Sequence, residues 1–218
     1  MQHLFFSKDM PIYLTENIEN TGIFAVWKLT ENEEELLRLR SLSEREKKDF
    51  FAIKNSNRRK EWLIIRILLE HLTDKNFSLN YLSDGKPKLL KPKLFLSISH
   101  SKDFVAVFIS LNKAIGIDIE RIKENIGQLK HKFLLPEEAQ QVDESDNQLL
   151  HIYWGAKEAM YKMYSSYQPL FTEHLSVQNI DYQKYKAIGK IKKENLNKTI
   201  NIIFQRIENN ILVCCFEK

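Results

Sequence analysis

Little cysteine, proline or glycine occurs among the 218 residues of the sequence. The two cysteines, Cys214 and Cys215, are neighbours, which excludes a disulfide framework and favours a reducing compartment. Five prolines and six glycines are too few for a collagen-like or proline-rich disordered chain. No apolar run approaches the roughly 20 residues of a membrane helix, and residues 1–10 lack the basic start and apolar core of a secretory signal. We therefore expect a cytoplasmic protein without a membrane partner.

The charged residues are balanced and dispersed. Lysine and arginine number 33 against 29 aspartates and glutamates, so the net charge is +4, and both signs are interleaved along the chain. The sequence pI of about 8.9 by itself suggests a nucleic-acid-binding protein, but such proteins usually concentrate their basic charge. We therefore expect no nucleic acid as a partner. A phosphate-bearing ligand or an acidic protein is compatible with this charge.

The first part of the chain predicts one strand followed by helices. Ser43 and Glu46 have the spacing of a capping box, which marks a helix start. A later helix is expected to begin at a cap formed by Ser56 or Asn57, because apolar residues then recur at helical spacing. The predicted elements are a strand at residues 23–29, a helix at 31–39, the helix capped by Ser43, and a helix that ends near Leu72.

After residue 94 the pattern changes to strands separated by two helices. Pro136 favours the first turn of a helix at residues 133–142, and an acidic, solvated link precedes a longer helix at 149–164. The predicted strands are 95–99, 104–110, 114–119, 187–191, 199–207 and 211–216, with a turn at Asn209-Asn210. Adjacent strands mixed with helices favour an α+β fold with mostly antiparallel sheets. We expect two similar lobes, residues 1–112 and 113–218.

The segment GIDIE, residues 116–120, is the most informative cluster. Side chains alternate along a strand, so Asp118 and Glu120 point the same way. Two carboxylates on one face repel each other unless a cation or water lies between them. A hard dication such as Mg²⁺ prefers a few carboxylates together with phosphate oxygens. The alternative is an edge strand with a polar face.

The predicted long helix carries a second charged cluster. Trp154, Glu158 and Lys162 are spaced i, i+4 and i+8 and therefore lie along one side, with Lys157 and Tyr161 beside them. A glutamate–lysine pair at this spacing is also a common surface stabiliser, worth only about 0.3–0.5 kcal/mol. We expect Trp154 to pack between the lobes.

Two further motifs suit phosphate binding. In SISHS, residues 97–101, the serines share one strand face, and a hydroxyl such as that of Ser99 with the imidazole of His100 can bind phosphate oxygens at a strand end. Neighbours on a strand point apart, so this serine and histidine are not a nucleophile and its base. The turn Gly85-Lys86-Pro87-Lys88 presents two ammonium groups.

A group of basic residues precedes the apolar stretch of the third helix. Arg59 and Arg66 are seven residues apart, on nearly one helix face, and Arg58 and Lys60 flank Arg59. Guanidinium groups suit phosphates. Arg58 or Arg59 is the favoured ligand contact, with the choice between them open, and Glu61 interrupts the basic run. Arg66 is expected to be structural, paired with a carboxylate.

The order of these motifs carries more information than each motif does. GKP, then S-x-SHS, then GIDIE, then W-x-x-KEA-x-x-K resembles the 4'-phosphopantetheinyl transferase superfamily. The length is similar to that of its longer, single-chain (Sfp-type) branch, which is built from two related lobes. By motif, the resemblance covers residues 40–165.

The resemblance implies a reaction and its partners. Such enzymes move the 4'-phosphopantetheine arm of coenzyme A onto a serine of an apo acyl or peptidyl carrier protein and release adenosine 3',5'-bisphosphate. Mg²⁺, with Mn²⁺ as the alternative, is the implied metal, and a monomer is expected. The competing hypotheses are a non-catalytic homologue that binds coenzyme A and, less favoured, a basic nucleic-acid-binding protein.

The resemblance also implies roles for individual residues. Asp118, Glu120 and Glu158 match the metal ligands, and Glu158 is the favoured general base. Lys162 matches the lysine that contacts the pyrophosphate and the departing phosphate. The residues that match coenzyme contacts are Arg58, Arg59, Gly85, Lys86, Pro87, Lys88, Ser99, His100, Asp118, Lys157 and Lys162. The resemblance also assigns His100 to catalysis.

Overall fold

A computed structural model describes residues 11–73, 77–82, 85–91 and 94–218 of the protein. The described residues form an α+β fold with a four-stranded and a five-stranded antiparallel sheet and a separate two-stranded hairpin. The strands are β1 (Ile12–Ile18), β2 (Gly22–Lys28), β3 (Ser78–Tyr81), β4 (Pro87–Lys91), β5 (Phe95–His100), β6 (Phe104–Ser110), β7 (Ile115–Arg121), β8 (Leu175–Asp181), β9 (Lys186–Lys193), β10 (Leu196–Ile207) and β11 (Asn210–Glu217). The helices are α1 (Glu33–Leu39), α2 (Glu44–Ala52), α3 (Ser56–Leu72), α4 (Pro136–Ala139) and α5 (Asn147–Met163). The predicted fold class is confirmed.

The four-stranded sheet has the order β1-β2-β6-β5, and α3 packs against it. The capping box of Ser43 and Glu46 is present at the start of α2. The cap of α3 is Asn55, whose side chain accepts a hydrogen bond from Arg58 N. The prediction of Ser56 or Asn57 was therefore wrong by one or two residues, because several polar residues that suit an N-cap are consecutive here.

The five-stranded sheet has the order β7-β11-β10-β9-β8, and α5 packs on its face. Two glycines allow the helix to approach the sheet closely. A Cβ on Gly116 of β7 would collide with the carbonyl oxygen of Ala159, and one on Gly155 of α5 would lie 2.9 Å from Val213 Cγ2. Because neither glycine has a side chain, the helix can lie directly over the strand that carries Asp118.

The two sheets meet where β5 lies beside β7. Because β7 is an edge strand, one row of its backbone groups needs partners outside its own sheet. Ser97 Oγ accepts a hydrogen bond from Ile117 N at 3.0 Å, and Ser99 Oγ accepts one from Ile119 N at 3.2 Å. An apolar cluster that includes Phe24 of β2 fills the space between the sheets. The alternating serines of SISHS thus join the two sheets.

Several elements differ from those predicted. The helix predicted at residues 133–142 is only the short α4, and a 3₁₀ helix at Ile126–Lys132 precedes it. The acidic link is not merely solvated, because Asp146 caps α5 by accepting a hydrogen bond from Leu149 N. The sequence patterns also did not predict β1, β3, β4 or β8. These short or polar strands show little alternation and are held by their sheet neighbours.

The division into two lobes follows the strand pairing. All strands of the four-stranded sheet precede residue 111, and all strands of the five-stranded sheet follow residue 114. The boundary near residue 112 stays a prediction about separate lobes. Within the described ranges, no helix is both long enough and apolar enough to cross a membrane.

Candidate active site

Asp118 lies at the centre of the junction between the two sheets. Its side chain is buried, and Oδ1 accepts hydrogen bonds from Ser99 Oγ at 2.9 Å and from Lys162 Nζ at 2.8 Å. The other oxygen, Oδ2, is buried without a hydrogen-bond partner among the described residues. A buried carboxylate oxygen without a donor is costly, so this atom has unused capacity to bind a cation.

Lys162 reaches across from the last turn of α5. Its ammonium group donates to Asp118 Oδ1, to Ser99 Oγ at 3.0 Å and to the carbonyl oxygen of Ile117 at 2.9 Å. The side chain is 28% exposed, so it lies at the edge of the cleft rather than inside the core. The predicted neighbourhood of Ser99, Asp118 and Lys162 is therefore present in the structure.

Glu158 and Glu120 lie close enough to Asp118 for their charges to interact. Burial, and then the charges of Asp118 and Glu120, raise the pKa of Glu158 to about 7, although Lys162 opposes this shift. Burial raises the pKa of Glu120 as well, with repulsion from Asp118 as the second cause. Three carboxylates in one partly buried region thus destabilise one another in the ionised form.

The donor set fits a hard dication, although it is not assembled into a ready cluster. Within the part of the chain that the structure describes, no group of three or more His, Cys, Asp or Glu side chains is positioned to hold a metal ion. The unpartnered Oδ2 of Asp118 and the mutual repulsion among Asp118, Glu120 and Glu158 are both features that a cation would relieve. Carboxylate oxygens are also the ligands that Mg²⁺ prefers.

His100 ends β5 and contacts the first turns of α3. Arg58 Nη1 lies 2.6 Å from His100 Nε2 and 2.8 Å from Glu61 Oε2, and Glu61 Oε1 lies 3.7 Å from His100 Nδ1. Burial is the main cause that lowers the pKa of His100. The structure thus brings Arg58, His100 and Glu61 together, and the role of Arg58 and His100 as coenzyme contacts stays a prediction.

Arg59 does not join this group. Its guanidinium forms two 2.9 Å hydrogen bonds to Glu33 of α1 and donates to the carbonyl oxygen of Ile53 at 2.9 Å. Of the two arginines between which the sequence left the choice open, only Arg58 faces His100. The pairing of Arg59 with α1 supports a structural role for that residue.

Lys157 is also not brought to the cleft, contrary to the expected phosphate contact. Its ammonium group is fully buried and donates to Glu138 Oε2 at 2.5 Å and to the carbonyl oxygens of Phe133 at 2.7 Å and Phe171 at 3.0 Å. Burial lowers its pKa, whereas Glu138 raises it. Because the ammonium group is fully buried as well as held by three acceptors, it cannot turn to a ligand in the cleft in this arrangement.

The turn that starts at Gly85 lies beside the end of α5. Gly85 has a φ of +82°, a conformation that favours glycine. Lys86 Nζ donates to the carbonyl oxygen of Lys162 at 3.0 Å and to Ser165 Oγ at 3.3 Å. Lys86, Pro87 and Lys88 line a cleft of about 540 Å³ together with Lys162 and apolar side chains. The predicted basic turn and the end of α5 therefore share one cleft.

The contacts of Trp154 and Arg66 test two further expectations from the sequence. Trp154 packs against Phe133 and Phe171 of the same half of the chain, so the expectation that it lies between the lobes was wrong. Arg66 is buried, with its guanidinium carbon 3.2 Å from the centroid of the Trp62 ring. Arg66 also lies 3.7 Å from Glu46, in agreement with its expected structural pairing.

Sequence reasoning missed the acidic partners of the basic residues. Glu138 follows Pro136 in the predicted helix without any sign of a basic partner, and Glu61 was noted only as an interruption of the basic run. The i, i+3 spacing of Arg58 and Glu61 was an available signal for their pairing. No sequence spacing indicates that Glu138 meets Lys157, because they are 19 positions apart and a loop lies between them.

Comparison with known proteins agrees with this site. Residues 114–209 match the family model described as the 4'-phosphopantetheinyl transferase superfamily. No curated protein matches the chain. The matched region contains β7 with Asp118 and Glu120 and α5 with Glu158 and Lys162. The match supports a transferase of phosphopantetheine in general, and the longer single-chain branch stays a prediction. The chain therefore carries a 4'-phosphopantetheinyl transferase superfamily domain at residues 114–209.

Proposed function

We propose that the protein transfers 4'-phosphopantetheine from coenzyme A to a serine of an apo acyl or peptidyl carrier protein in a magnesium-dependent reaction. The observation that carries this proposal is the interacting group of Asp118, Glu120, Glu158 and Lys162 within the matched superfamily region. In the reaction the serine oxygen bonds to the pantetheine-bearing phosphorus of the pyrophosphate. The bond from that phosphorus to the bridging oxygen breaks, and adenosine 3',5'-bisphosphate leaves with the bridging oxygen.

The residues present fit the metal that the superfamily implies. Asp118, Glu120 and Glu158 would hold Mg²⁺, with Mn²⁺ as the alternative, and the unpartnered Oδ2 of Asp118 supports this role. When bound, the ion would draw negative charge from the pyrophosphate oxygens. Phosphoryl transfer depends mainly on such charge stabilisation and on positioning.

Glu158 is the proposed acceptor of the serine proton. With a pKa of about 7, this carboxylate can take up a proton near neutral pH more readily than an ordinary glutamate. The proton of the hydroxyl passes to a carboxylate oxygen of Glu158, directly or through one water. A bound cation would lower this pKa, and the base would then be weaker but more fully ionised.

Lys162 and the residues near His100 are proposed to bind the phosphates. Lys162 can turn from Asp118 towards the departing phosphate, since its ammonium already lies at the edge of the cleft. His100 with Ser99, together with Arg58, would contact the coenzyme phosphates. The Gly85–Lys88 turn would contact the adenosine end. Under this proposal residues 1–112 supply coenzyme contacts, and residues 113–218 supply the metal site and the catalytic helix.

A transfer assay tests the proposal. The protein is incubated with coenzyme A, Mg²⁺ and apo carrier proteins of the fatty-acid, polyketide and nonribosomal-peptide types, and we expect at least one carrier to gain the mass of one phosphopantetheine arm. Asp118→Asn should reduce the rate by at least about 10²–10³-fold, because it removes charge stabilisation at the reacting phosphates.

The matched control is Glu34→Gln, which changes a carboxylate whose side chain is 85% exposed on α1. This variant should transfer at the wild-type rate. Coenzyme A binding without a mass gain on any carrier would support the non-catalytic alternative. A wild-type rate for Asp118→Asn would refute the proposed metal site.

A further inference from the structure

Glu61 is an acidic side chain placed between two groups that the proposed function assigns to phosphate binding. It lies in the second turn of α3, and its side chain is only 13% exposed. One carboxylate oxygen accepts a 2.8 Å hydrogen bond from Arg58, and the other faces His100 Nδ1 at 3.7 Å. An ordinary surface ion pair would involve one partner and more solvent. Glu61 instead contacts both members of the pair.

The contact between Arg58 and His100 defines the tautomer of the imidazole. Arginine is always a donor, so at 2.6 Å from Arg58 Nη1 the Nε2 atom of His100 must be the acceptor. The imidazole proton therefore lies on Nδ1, the nitrogen that faces Glu61. A carboxylate facing Nδ1–H favours this tautomer and this ring orientation.

The charges around His100 come from three elements. Glu61 of α3 and Asp118 of β7 raise its pKa, whereas burial, Arg58 of α3 and Lys162 of α5 lower it. Burial has the largest effect on the pKa of His100 and lowers it, and the charge of Glu61 has the second largest effect and raises it. An anion that binds at Nε2, in place of the direct contact with Arg58 Nη1, would favour the doubly protonated ring, which then donates from Nε2 to the anion while Nδ1–H faces Glu61.

We propose that Glu61 is a positioning residue, whose carboxylate fixes the tautomer and orientation of His100 and holds Arg58 beside it, so that the pair forms a site for a phosphate dianion. This inference rests on the proposed function, because the dianion is a phosphate group of the coenzyme. Simple electrostatics predicts the opposite effect of Glu61 on phosphate binding. A carboxylate that only contributes negative charge would repel an anion, and its removal would tighten binding.

The substitution Glu61→Gln distinguishes the positioning role from simple repulsion of the anion. The glutamine keeps an acceptor for Arg58, but its NH₂ group cannot face Nδ1–H favourably, so the single tautomer should be lost. We expect the affinity for adenosine 3',5'-bisphosphate, measured by calorimetry, to fall about tenfold, the size of one charge-assisted hydrogen bond. Glu61→Asp retains the carboxylate and should recover part of the affinity. Glu34→Gln should bind as the wild type does.

Nitrogen NMR of the His100 imidazole supplies a readout that a merely structural role would not change. In the wild-type protein we expect the signals of the Nδ1–H tautomer, and a shift of the Nε2 signal on addition of the bisphosphate. Glu61→Gln should give a mixture of tautomers and a lower pKa for His100. Thermal unfolding of each variant confirms that the fold is retained.

Three results would overturn the inference: unchanged or tighter bisphosphate binding by Glu61→Gln, an unchanged tautomer, or wild-type signals that do not move with saturating bisphosphate. Failure of the proposed function looks different. In that case the bisphosphate binds and the tautomer depends on Glu61, but no carrier protein gains mass.

Discussion

Two lysines of α5, five residues apart, form ion pairs with carboxylates in very different surroundings. Lys157 is fully buried, pairs with Glu138 at 2.5 Å and also donates to two backbone carbonyl oxygens. Lys162 is 28% exposed, pairs with Asp118 at 2.8 Å and lies at the edge of the cleft. The residue types in the two pairs are nearly the same. Burial and the identity of the neighbouring elements distinguish a structural pair from a candidate catalytic pair.

The buried pair of Lys157 and Glu138 connects several elements near the site. Glu138 of α4 accepts hydrogen bonds from Leu135 N and Val177 N, both at 2.8 Å, in addition to the one from Lys157. The pair therefore ties α4 and β8 to α5. The helix that carries Glu158 and Lys162 is in this way held at Lys157, and such support favours precise positioning of the groups on it.

Lys157→Met should give the largest effect on stability. The substitution leaves the carboxylate of Glu138 buried without its cation, and loss of one partner of a buried pair costs about 3–5 kcal/mol. Urea denaturation measures this change in the free energy of unfolding. The control Lys184→Met removes an exposed lysine that lies 3.4 Å from Asp181 and should change stability by less than about 1 kcal/mol. If both variants changed the free energy of unfolding equally, the buried pair of Lys157 and Glu138 would not stabilise the fold more than a surface pair does.

Lys162→Met should affect transfer more than stability. We expect the transfer rate to fall about 10²-fold, because a cation near the departing phosphate is lost, with little change in the apparent coenzyme constant. The loss in unfolding free energy should be smaller than for Lys157→Met, since the ammonium group is partly solvated. Steady-state kinetics and urea denaturation check both points. A change confined to the coenzyme constant would contradict the role in stabilising the leaving group.

A further expected effect is a dependence of stability on pH. Because the folded protein raises the pKa of Glu158 from its usual 4.5 to about 7, the folded state holds this proton more tightly than the unfolded state. The contribution of Glu158 to stability is therefore fully present below about pH 4.5 and is lost as the pH rises through about 7. Urea denaturation at several pH values should show this decrease.

Glu158→Gln provides the control for the pH measurement. It removes the titrating group, so the difference in unfolding free energy between wild type and variant should depend on pH across this window. Mg²⁺ should stabilise the wild type more at about pH 8 than at about pH 5, because it binds the ionised carboxylates. A difference that is independent of pH would contradict the raised pKa.

The sequence predicted the placement of residues within one strand or helix better than the contacts between elements. Alternation along a strand placed Asp118 and Glu120 on one face, and helical spacing placed Glu158 and Lys162 on one side of α5. Both are local rules that depend only on backbone geometry. The capping box of Ser43 and Glu46 was likewise predictable because all its atoms lie within one turn.

Local rules failed where a partner lies far along the chain. The family resemblance assigned Lys157 to the phosphates along with its helix neighbours, although adjacent helical residues point about 100° apart. It left Arg58 and Arg59 open, because either register satisfies a helical pattern. Arg59 contacts Glu33 because α3 packs against α1, and Arg58 contacts His100 because the end of β5 lies beside α3.

The sequence by itself determined the α+β class, the capping box of Ser43 and Glu46 and the set of acidic and basic groups available for chemistry, since these follow from local propensity and periodicity. Only the tertiary structure decided which lysine is buried and which faces the cleft, and that Glu61 lies between Arg58 and His100. The physical reason is that burial and long-range pairing depend on how helices pack on sheets. Sequence spacing within one element does not contain that information.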